Sequence, residues 1–333
     1  MSDKSVFLRH PLSFADGEFR ILFFSDIQDG PDYDRRTVAA MDAMIERHRP
    51  HLVLWGGDNV VNCSTAEEFT RTLKDFAEPM ERRGIPWAHV FGNHDEELNP
   101  LSNAEQLKIY QSHPHCLTTT VPGIHGQSNF VLPVLSSDKK RIAFNVWGLD
   151  ANQYIRELGQ EIGYPDLEKD ARLPHPLVRN CEYDLIRFDQ LMWYYTTSQQ
   201  MEQENGGRIP AVMLLHTCPE EFMAITHNPA ETGMTGEHNE PICPAPINSG
   251  LFAAALQRGD IMGIFCGHDH TNTYEGTFCG IRLSFLSCIG FGAYGLGGSD
   301  RENNRLRAGR LVTVKEEAPD RFSSQLLFAN DYL

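Results

Sequence analysis

The chain has 333 residues, of which 41% are hydrophobic and 22% are charged, a mixture typical of a globular protein with a sizeable core. Its formal net charge is −16, and Lys and Arg form no cluster along it. This argues against nucleic acid as a partner, because nucleic-acid binding depends on grouped cations that neutralise phosphates. The sequence shows neither a signal-peptide pattern nor a run of about 18 apolar residues, so we predict no membrane partner and a cytoplasmic location.

The first third of the chain alternates predicted strands and helices. Apolar runs predict strands over Ile21–Phe24, Leu52–Trp55 and Trp87–Phe91. Helical spacing predicts a helix over Arg35–His48, and the run from Ser64 to Glu67 reads as a capping box that opens a second helix reaching about Arg83. Strands that alternate with helices in this way are parallel, so their carboxyl ends lie at one edge of a sheet.

The remainder of the chain is less regular. Helices are predicted over Ala104–Gln111 and Arg187–Gln203, and residues 151–185, rich in Pro, Gly and charge, are predicted to form an inserted surface excursion. The further predicted strands are Ile142–Leu149, Ala211–Leu215, Ile261–Phe265, Ile281–Leu286, Arg310–Lys315 and Gln325–Phe328. No repeat or linker divides the chain, so we predict one domain over residues 1–333.

Five short polar patches have the chemistry of metal ligands, and each follows an apolar run. They are Asp26-Ile27-Gln28, Gly56-Gly57-Asp58-Asn59, Gly92-Asn93-His94-Asp95, His216 and Gly267-His268-Asp269-His270. Carboxylates, an amide and imidazoles at five strand ends can converge only if those strands lie side by side, which is how a sheet builds a two-metal hydrolase site. Each patch alone is weak evidence, whereas the ordered set is strong.

This ordered set resembles the calcineurin-like metallophosphoesterases, whose pattern reads Asp-x-His, Gly-Asp, Gly-Asn-His-Asp/Glu, His and Gly-His-x-His. The segment Gly290–Gly295, followed by Arg307 and Arg310, is similar to the end of a cytosolic branch related to the purple acid phosphatases. The resemblance implies an α/β fold of two packed mixed β-sheets flanked by helices, a four-layer αββα sandwich. Two features depart from the pattern: Gln28 stands where the family usually has histidine, and the redox-tyrosine position of true purple acid phosphatases holds no tyrosine.

The resemblance also implies a role for each ligand position. Asp26, Gln28, Asp58 and His270 would surround a first metal, and Asp58, Asn93, His216 and His268 a second. Asp58 would bridge the two, since a shared carboxylate lets cations lie about 3.5–4 Å apart. His94 would act on the substrate as a catalytic residue, stabilising phosphate oxygens or protonating the leaving alkoxide, and Asp95 would orient it by accepting a hydrogen bond.

The implied function is hydrolysis of phosphate esters by in-line attack of a metal-bound hydroxide on phosphorus. The cofactors would be two divalent or mixed-valence metal ions. A neutral amide oxygen from Gln28 favours Mn or Fe at the first site, with Zn possible, because oxygen is a harder ligand than imidazole. The substrate would be a small phosphate ester or a phosphoprotein, and the sequence specifies no oligomeric state.

Two other functions remain open at this point. If the first metal were lost through Gln28, the chain would be a catalytically weak scaffold of the same fold that binds a partner protein. A metal-dependent nuclease is disfavoured by the charge of −16. Residues that could contact substrate are His238, Asn239, Glu240, Asn272 and Tyr294 within the glycine run Gly290–Gly298; for the first four, the ordinary interpretation as solvated loop residues is favoured.

Overall fold

A computed structural model describes residues 11–167 and 182–333. In this part of the chain the strands are β1 Leu12–Ser13, β2 Glu18–Phe24, β3 Leu52–Trp55, β4 Trp87–His89, β5 Phe130–Leu135, β6 Ile142–Gly148, β7 Ala211–Leu215, β8 Ile261–Cys266, β9 Glu275–Phe278, β10 Ile281–Phe285, β11 Ala308–Lys315 and β12 Ala318–Phe328. They form a seven-stranded sheet, β1-β5-β6-β7-β8-β10-β9, and a five-stranded sheet, β12-β11-β2-β3-β4.

The helices cover the outer faces of the two sheets. They are α1 Arg35–His48, α2 Ala66–Glu81, α3 His94–Glu97, α4 Asn103–Tyr110, α5 Ile155–Glu161, α6 Phe188–Asn205, α7 Met223–His227, α8 Pro229–Thr232, α9 Leu251–Arg258 and α10 Asp300–Asn303. Residues of α1 and α2 share a hydrophobic cluster with the five-stranded sheet, and residues of α6 and α9 share another with the seven-stranded sheet. Within the described ranges, no helix is long and apolar enough to cross a membrane.

A third hydrophobic cluster lies between the sheets and joins them face to face. Phe23 of β2 stacks on Phe265 of β8 with ring centroids 4.7 Å apart, and both rings are fully buried. The two mixed sheets with helices outside form the four-layer αββα sandwich, which confirms the fold class predicted from the resemblance.

Strand direction places the polar patches. Strands β2, β3 and β4 are mutually parallel, as are β6, β7, β8 and β10. Their carboxyl ends therefore meet at one edge of the sandwich, where ligands bind in sheets of this kind. The predicted helix over Arg35–His48 is observed with those bounds.

Some local predictions need correction. Thr65, not Ser64, is the N-cap of α2: its side chain accepts from the Glu68 N–H, and Glu68 accepts from the Ser64 N–H. The capping interaction is thus shifted by one residue from the predicted box. Strand β4 ends at His89 rather than at Phe91. Of the predicted insertion over 151–185, residues 168–181 lie outside the described part of the chain, and α5 belongs to the remainder.

A buried arginine ties the two sheets together. Arg310 of β11 is 2% exposed and forms an ion pair with Glu275 of β9 at 2.7 Å. It also donates to the carbonyl oxygens of Phe285 and Thr273 at 3.1 and 3.0 Å, on the opposite sheet.

We predict that Arg310→Leu lowers the free energy of unfolding by about 3–5 kcal/mol, because it removes the buried guanidinium that is the main partner of the largely covered Glu275 carboxylate. Urea unfolding followed by circular dichroism measures this. Arg82→Ala, which removes ion pairs with Asp42 and Glu78 on the surface, is the control and should cost at most about 1 kcal/mol. Equal costs for the two substitutions would contradict the structural role given to Arg310.

Candidate metal centre

Six of the seven predicted ligands converge at the carboxyl edge of the sandwich. Asp26, Asp58, Asn93, His216, His268 and His270 come from loops after β2, β3, β4, β7 and β8, and each is at most 9% exposed. Charged and polar side chains this deeply buried need hydrogen-bonding or ionic partners, and these six side chains lie close to one another.

His216 is at the centre of one group of donors. Its Nε2 lies 3.2 Å from Asn93 Oδ1, 3.3 Å from Asp58 Oδ2 and 3.3 Å from His268 Nδ1. The ligand atoms of Asp58, His216 and His268 all lie within 4.8 Å of one another. These are the residues expected around the second metal, and the structure brings all four of them together.

Backbone carbonyls orient two of the imidazoles. His216 Nδ1 donates to Gly56 O at 2.8 Å, which leaves Nε2 as the atom that faces the cluster. His270 Nδ1 lies 3.3 Å from Tyr294 O, and its Nε2 lies 3.4 Å from Asp26 Oδ1. Fixing one ring nitrogen by a carbonyl is the usual way in which a protein aims the other at a metal.

Asp26 and His270 form the other group, next to the first. Both carboxylate oxygens of Asp26 accept from the His268 N–H, at 3.2 and 3.1 Å. Asp58 Oδ1 accepts from the His94 N–H at 2.9 Å, and Asp58 Oδ2 lies 3.3 Å from His216 Nε2. Both oxygens of Asp58 are therefore engaged by groups of the centre.

Gln28 lies beyond the end of its strand. Strand β2 ends at Phe24, and both Asp26 and Gln28 have left-handed backbone, with φ of 51° and 39°. The Gln28 N–H donates to Asp58 O at 2.8 Å, and its side chain is partly exposed. The side-chain amide of Gln28 makes no hydrogen bond within residues 11–167 and 182–333. The neighbouring Asp29 accepts from the Gly30 and Asp34 N–H groups at 2.9 Å each.

The donors crowd together as they would around cations. Burial opposes the charge of Asp58, yet His216 and neighbouring groups hold the pKa of Asp58 below its usual range. Burial would lower the pKa of His216, but Asp58 raises it to about 10. Burial and the His216 charge lower the pKa of His268 to about 3. The proton on His216 Nε2 thus lies among Asp58 Oδ2, Asn93 Oδ1 and His268 Nδ1, and a metal ion that displaces it fits that donor set.

The backbone around the centre is strained. Asp26, Asp58 and His268 have φ of 51°, 49° and 73°, a region that residues with side chains seldom adopt. Such conformations cost about 1–3 kcal/mol each and persist where the surrounding structure enforces them, often at functional sites. His268 thus contacts Asp26 through its backbone N–H, whereas His270 contacts Asp26 through its ring.

Two glycines allow the ligands to approach so closely. A Cβ on Gly57, whose φ is 95°, would lie 2.5 Å from His216 Nδ1. A Cβ on Gly92 would collide with the Asp58 carboxylate. Gly57 and Gly92 are thus required by the lack of space next to His216 and Asp58.

The structure gives Asp95 a different role from the expected one, and another residue contacts the ring of His94. Asp95 is fully buried and accepts from the N–H groups of Gly92, Asp58 and Asn59 at 2.7, 2.9 and 2.9 Å, so it joins the loops after β3 and β4. Burial and the Asp58 charge raise the pKa of Asp95 to about 7. The expectation that Asp95 orients the His94 ring needs correction, because His94 Nδ1 contacts Glu97 Oε1 at 2.5 Å.

Four further side chains border the site. Tyr154 donates to Glu97 Oε2 at 2.6 Å, and Tyr183 packs edge-on against His268 with centroids 4.3 Å apart. Tyr294 stacks on His270 at 4.0 Å. Tyr294 was predicted to approach the metals from its glycine run, but Glu97, Tyr154 and Tyr183 were missed. No motif marks them, and the two tyrosines lie in the segment predicted to be a surface excursion.

The other residues that the sequence suggested as substrate contacts instead join two loops beside the site. Asn272 is buried, accepts from the Asn239 and Glu240 N–H groups and donates to Asp269 Oδ2 at 3.1 Å. Glu240 accepts from the Tyr294 hydroxyl at 2.8 Å, and His238 packs edge-on against Tyr274. These residues therefore hold the loop after α8 against the loop that carries His270.

Comparison with known proteins agrees with this geometry. The family model described as calcineurin-like phosphoesterase matches residues 19–272, more than half of the chain. The chain belongs to this family. The matched range contains all the ligand positions listed above, from Asp26 to His270.

Relatives of known sequence point the same way. The chain is 27% identical to a protein from Arabidopsis thaliana named "Probable inactive purple acid phosphatase 14", over 87% of this chain and 75% of that one. It is 23% identical to "Phosphatase DCR2" from Saccharomyces cerevisiae, over 72% of this chain and 39% of that one. A solved structure of a dimetal phosphatase from Danio rerio has a TM-score of 0.56 at 14% identity, covering 89% of this chain and 95% of that one, which shows the shared fold.

We predict that binding of a divalent cation at this metallophosphoesterase centre releases about one proton at pH 7. The pKa of His216, raised to about 10, means that its ring carries a proton below that pH, and a metal at Nε2 must displace it. Metal affinity should accordingly rise about tenfold per pH unit as pH increases toward that value. Calorimetry in buffers of different ionisation enthalpy measures the released proton. Binding that is independent of pH and of buffer would show that His216 is neutral or unliganded.

Proposed function

We propose that this chain is a dinuclear-metal phosphoesterase that hydrolyses phosphate esters by in-line displacement at phosphorus. The observation that carries the proposal is the buried group of Asp58, His216 and His268, whose ligand atoms lie within 4.8 Å of one another. Membership of the calcineurin-like phosphoesterase family supports the reaction class. Two cations bound there would supply an activated water and neutralise the charge that develops on the phosphoryl group.

The chain's own residues provide the rest of the site. Asp26, His270 and the side-chain oxygen of Gln28 would hold one cation, Asn93, His216 and His268 the other, and Asp58 both. The Asp58 carboxylate is kept in place by the His94 N–H. A rigid, prearranged set of donors stabilises the transition state without reorganisation at the moment of reaction.

His94 is the residue that we assign to the substrate. Its ring is partly exposed, whereas the ligands are buried, and Glu97 holds its Nδ1. The other ring nitrogen is then free to contact the phosphate oxygens or to donate a proton to the leaving alkoxide.

The substrate class that we propose is a small phosphate ester or a phosphoprotein, with Mn or Fe as the preferred cation and a cytoplasmic location. Support for the substrate comes from the net charge of −16, which disfavours long polyanions. A local pair of cations would still attract a single phosphate group, because bound ions dominate the field around them.

Metal analysis of the purified protein, followed by a panel of chromogenic mono- and diesters with added Mn, tests the proposal. The expected result is close to two metal equivalents and turnover of at least one ester. The competing function is a scaffold of the same fold, favoured by the Gln28 replacement and by a relative whose name contains "inactive". Weak metal retention together with no turnover of any ester would favour the scaffold.

His94→Asn should leave the metal content near normal and lower turnover by roughly 10²–10⁴-fold, the range for loss of an acid–base group. Metal content is measured by elemental analysis and turnover with the preferred ester. His227→Asn, at an exposed histidine at the end of α7, is the control and should change neither. Loss of metal along with activity would make His94 a ligand instead.

Gln28→His should raise Zn affinity at the first site, because imidazole suits Zn better than a neutral amide does. Histidine tolerates the left-handed backbone at this position better than most residues do. The wild type should be most active with Mn or Fe. The measurement is metal titration with activity followed per bound equivalent, and Gln28→Ala is the control for loss of the amide. A wild type that already prefers Zn, and that the substitution leaves unchanged, would exclude Gln28 as a ligand.

A further inference from the structure

Tyr154 connects the two functional parts of the site. Its hydroxyl donates to Glu97 Oε2 at 2.6 Å and accepts from Asn93 Nδ2 at 3.3 Å. The other oxygen of Glu97 contacts His94 Nδ1, and the other end of the Asn93 amide lies 3.2 Å from His216 Nε2. The Tyr154 hydroxyl thus contacts both Glu97, which holds the ring of His94, and Asn93, a proposed ligand of the second metal.

Tyr154 is held rigidly enough to act in this way. The backbone on either side of it pairs with residues 182–184: Ile155 N donates to Glu182 O at 2.7 Å, and Asp184 N donates to Gln153 O at 3.1 Å. Its ring stacks with Tyr183 at 6.0 Å, and the Arg156 guanidinium lies 4.4 Å from the ring centroid. The tyrosine is 9% exposed.

The bond to Asn93 settles which end of an amide faces the metal. An asparagine side chain has an oxygen that ligates cations and an NH₂ group that does not. With Nδ2 donating to the Tyr154 hydroxyl, Oδ1 is turned toward His216 and the second cation site. Partners of this kind behind a ligand typically change metal affinity 10–100-fold when they are removed.

We propose that Tyr154 is a positioning residue that orients Asn93 as a metal ligand and, through Glu97, holds the ring of His94. The segment that follows β6, predicted to be a surface excursion, thereby supplies part of the active centre. This inference rests on the proposed dinuclear centre and adds a residue that the metallophosphoesterase motifs do not contain.

In the first experiment, metal-free protein is titrated with Mn²⁺ alone, and calorimetry measures the binding. Tyr154→Phe should weaken one of the two sites by about 10–100-fold and leave the other unchanged. Tyr195→Phe, which removes a tyrosine hydroxyl on α6 away from the site, is the matched control and should bind Mn²⁺ as the wild type does. Thermal unfolding of the metal-free proteins shows whether each variant is folded.

A double-mutant cycle separates orientation of the amide from a general structural effect. Asn93→Asp places an oxygen at both ends of the side chain, so no hydrogen bond is needed to select one. In that background Tyr154→Phe should change Mn²⁺ affinity by less than about twofold, because the two substitutions act through one interaction. An equal loss of affinity in both backgrounds, or none in either, would overturn the proposal.

The second arm follows turnover. Glu97→Ala should leave Mn²⁺ binding and KM near the wild-type values and lower kcat, and it should have no further effect in a His94→Asn background. An additional loss there would overturn the part of the proposal that concerns His94. Wild-type protein that binds no Mn²⁺ would refute the proposed function and this inference together, whereas normal wild-type binding with an unaffected Tyr154→Phe would refute this inference alone.

Discussion

Burial of two carboxylates at the edge between two sheets is the constraint on which this structure depends. Asp26 and Asp58 are at most 1% exposed, and two negative charges so placed are stable only with compensating donors nearby. Imidazoles of His216 and His270 lie within 3.4 Å of them. The negative charge of Asp58 is compensated by a proton on His216, and a pair of bound cations would replace that proton.

The loops that carry the ligands are strained and mutually supported. The Asp26 N–H donates to Gly57 O at 3.0 Å, and the Gln28 N–H donates to Asp58 O at 2.8 Å, so the loops after β2 and β3 hold each other in left-handed conformations. Asp95 fastens the loop after β4 to the loop after β3. The packed sheets, joined by Arg310 and by the Phe23–Phe265 stack, supply the rigidity that keeps this backbone in place.

Side chains from outside the motifs determine how the site is finished. Glu97 takes the position beside His94 that was assigned to Asp95, because the Asp95 carboxylate is occupied by three backbone N–H groups. Tyr154 and Tyr294 arrive from segments 61 or more residues away from Asn93 in the chain. Differences among members of the family can therefore arise in such surrounding groups even where the ligands match.

The sequence by itself determined the fold class through the resemblance carried by its ordered polar patches. It also named the six residues that converge at the candidate metal centre, because each patch follows an apolar run that forms a strand. It also located α1 and β3 with their observed bounds, since helical spacing and a short apolar run are local signals. Tertiary structure alone decided the placement of Gln28, the role of Asp95 and the contact of Tyr154 with Asn93 and Glu97. These depend on left-handed backbone and on contacts between distant loops, and neither leaves a periodic trace in the chain.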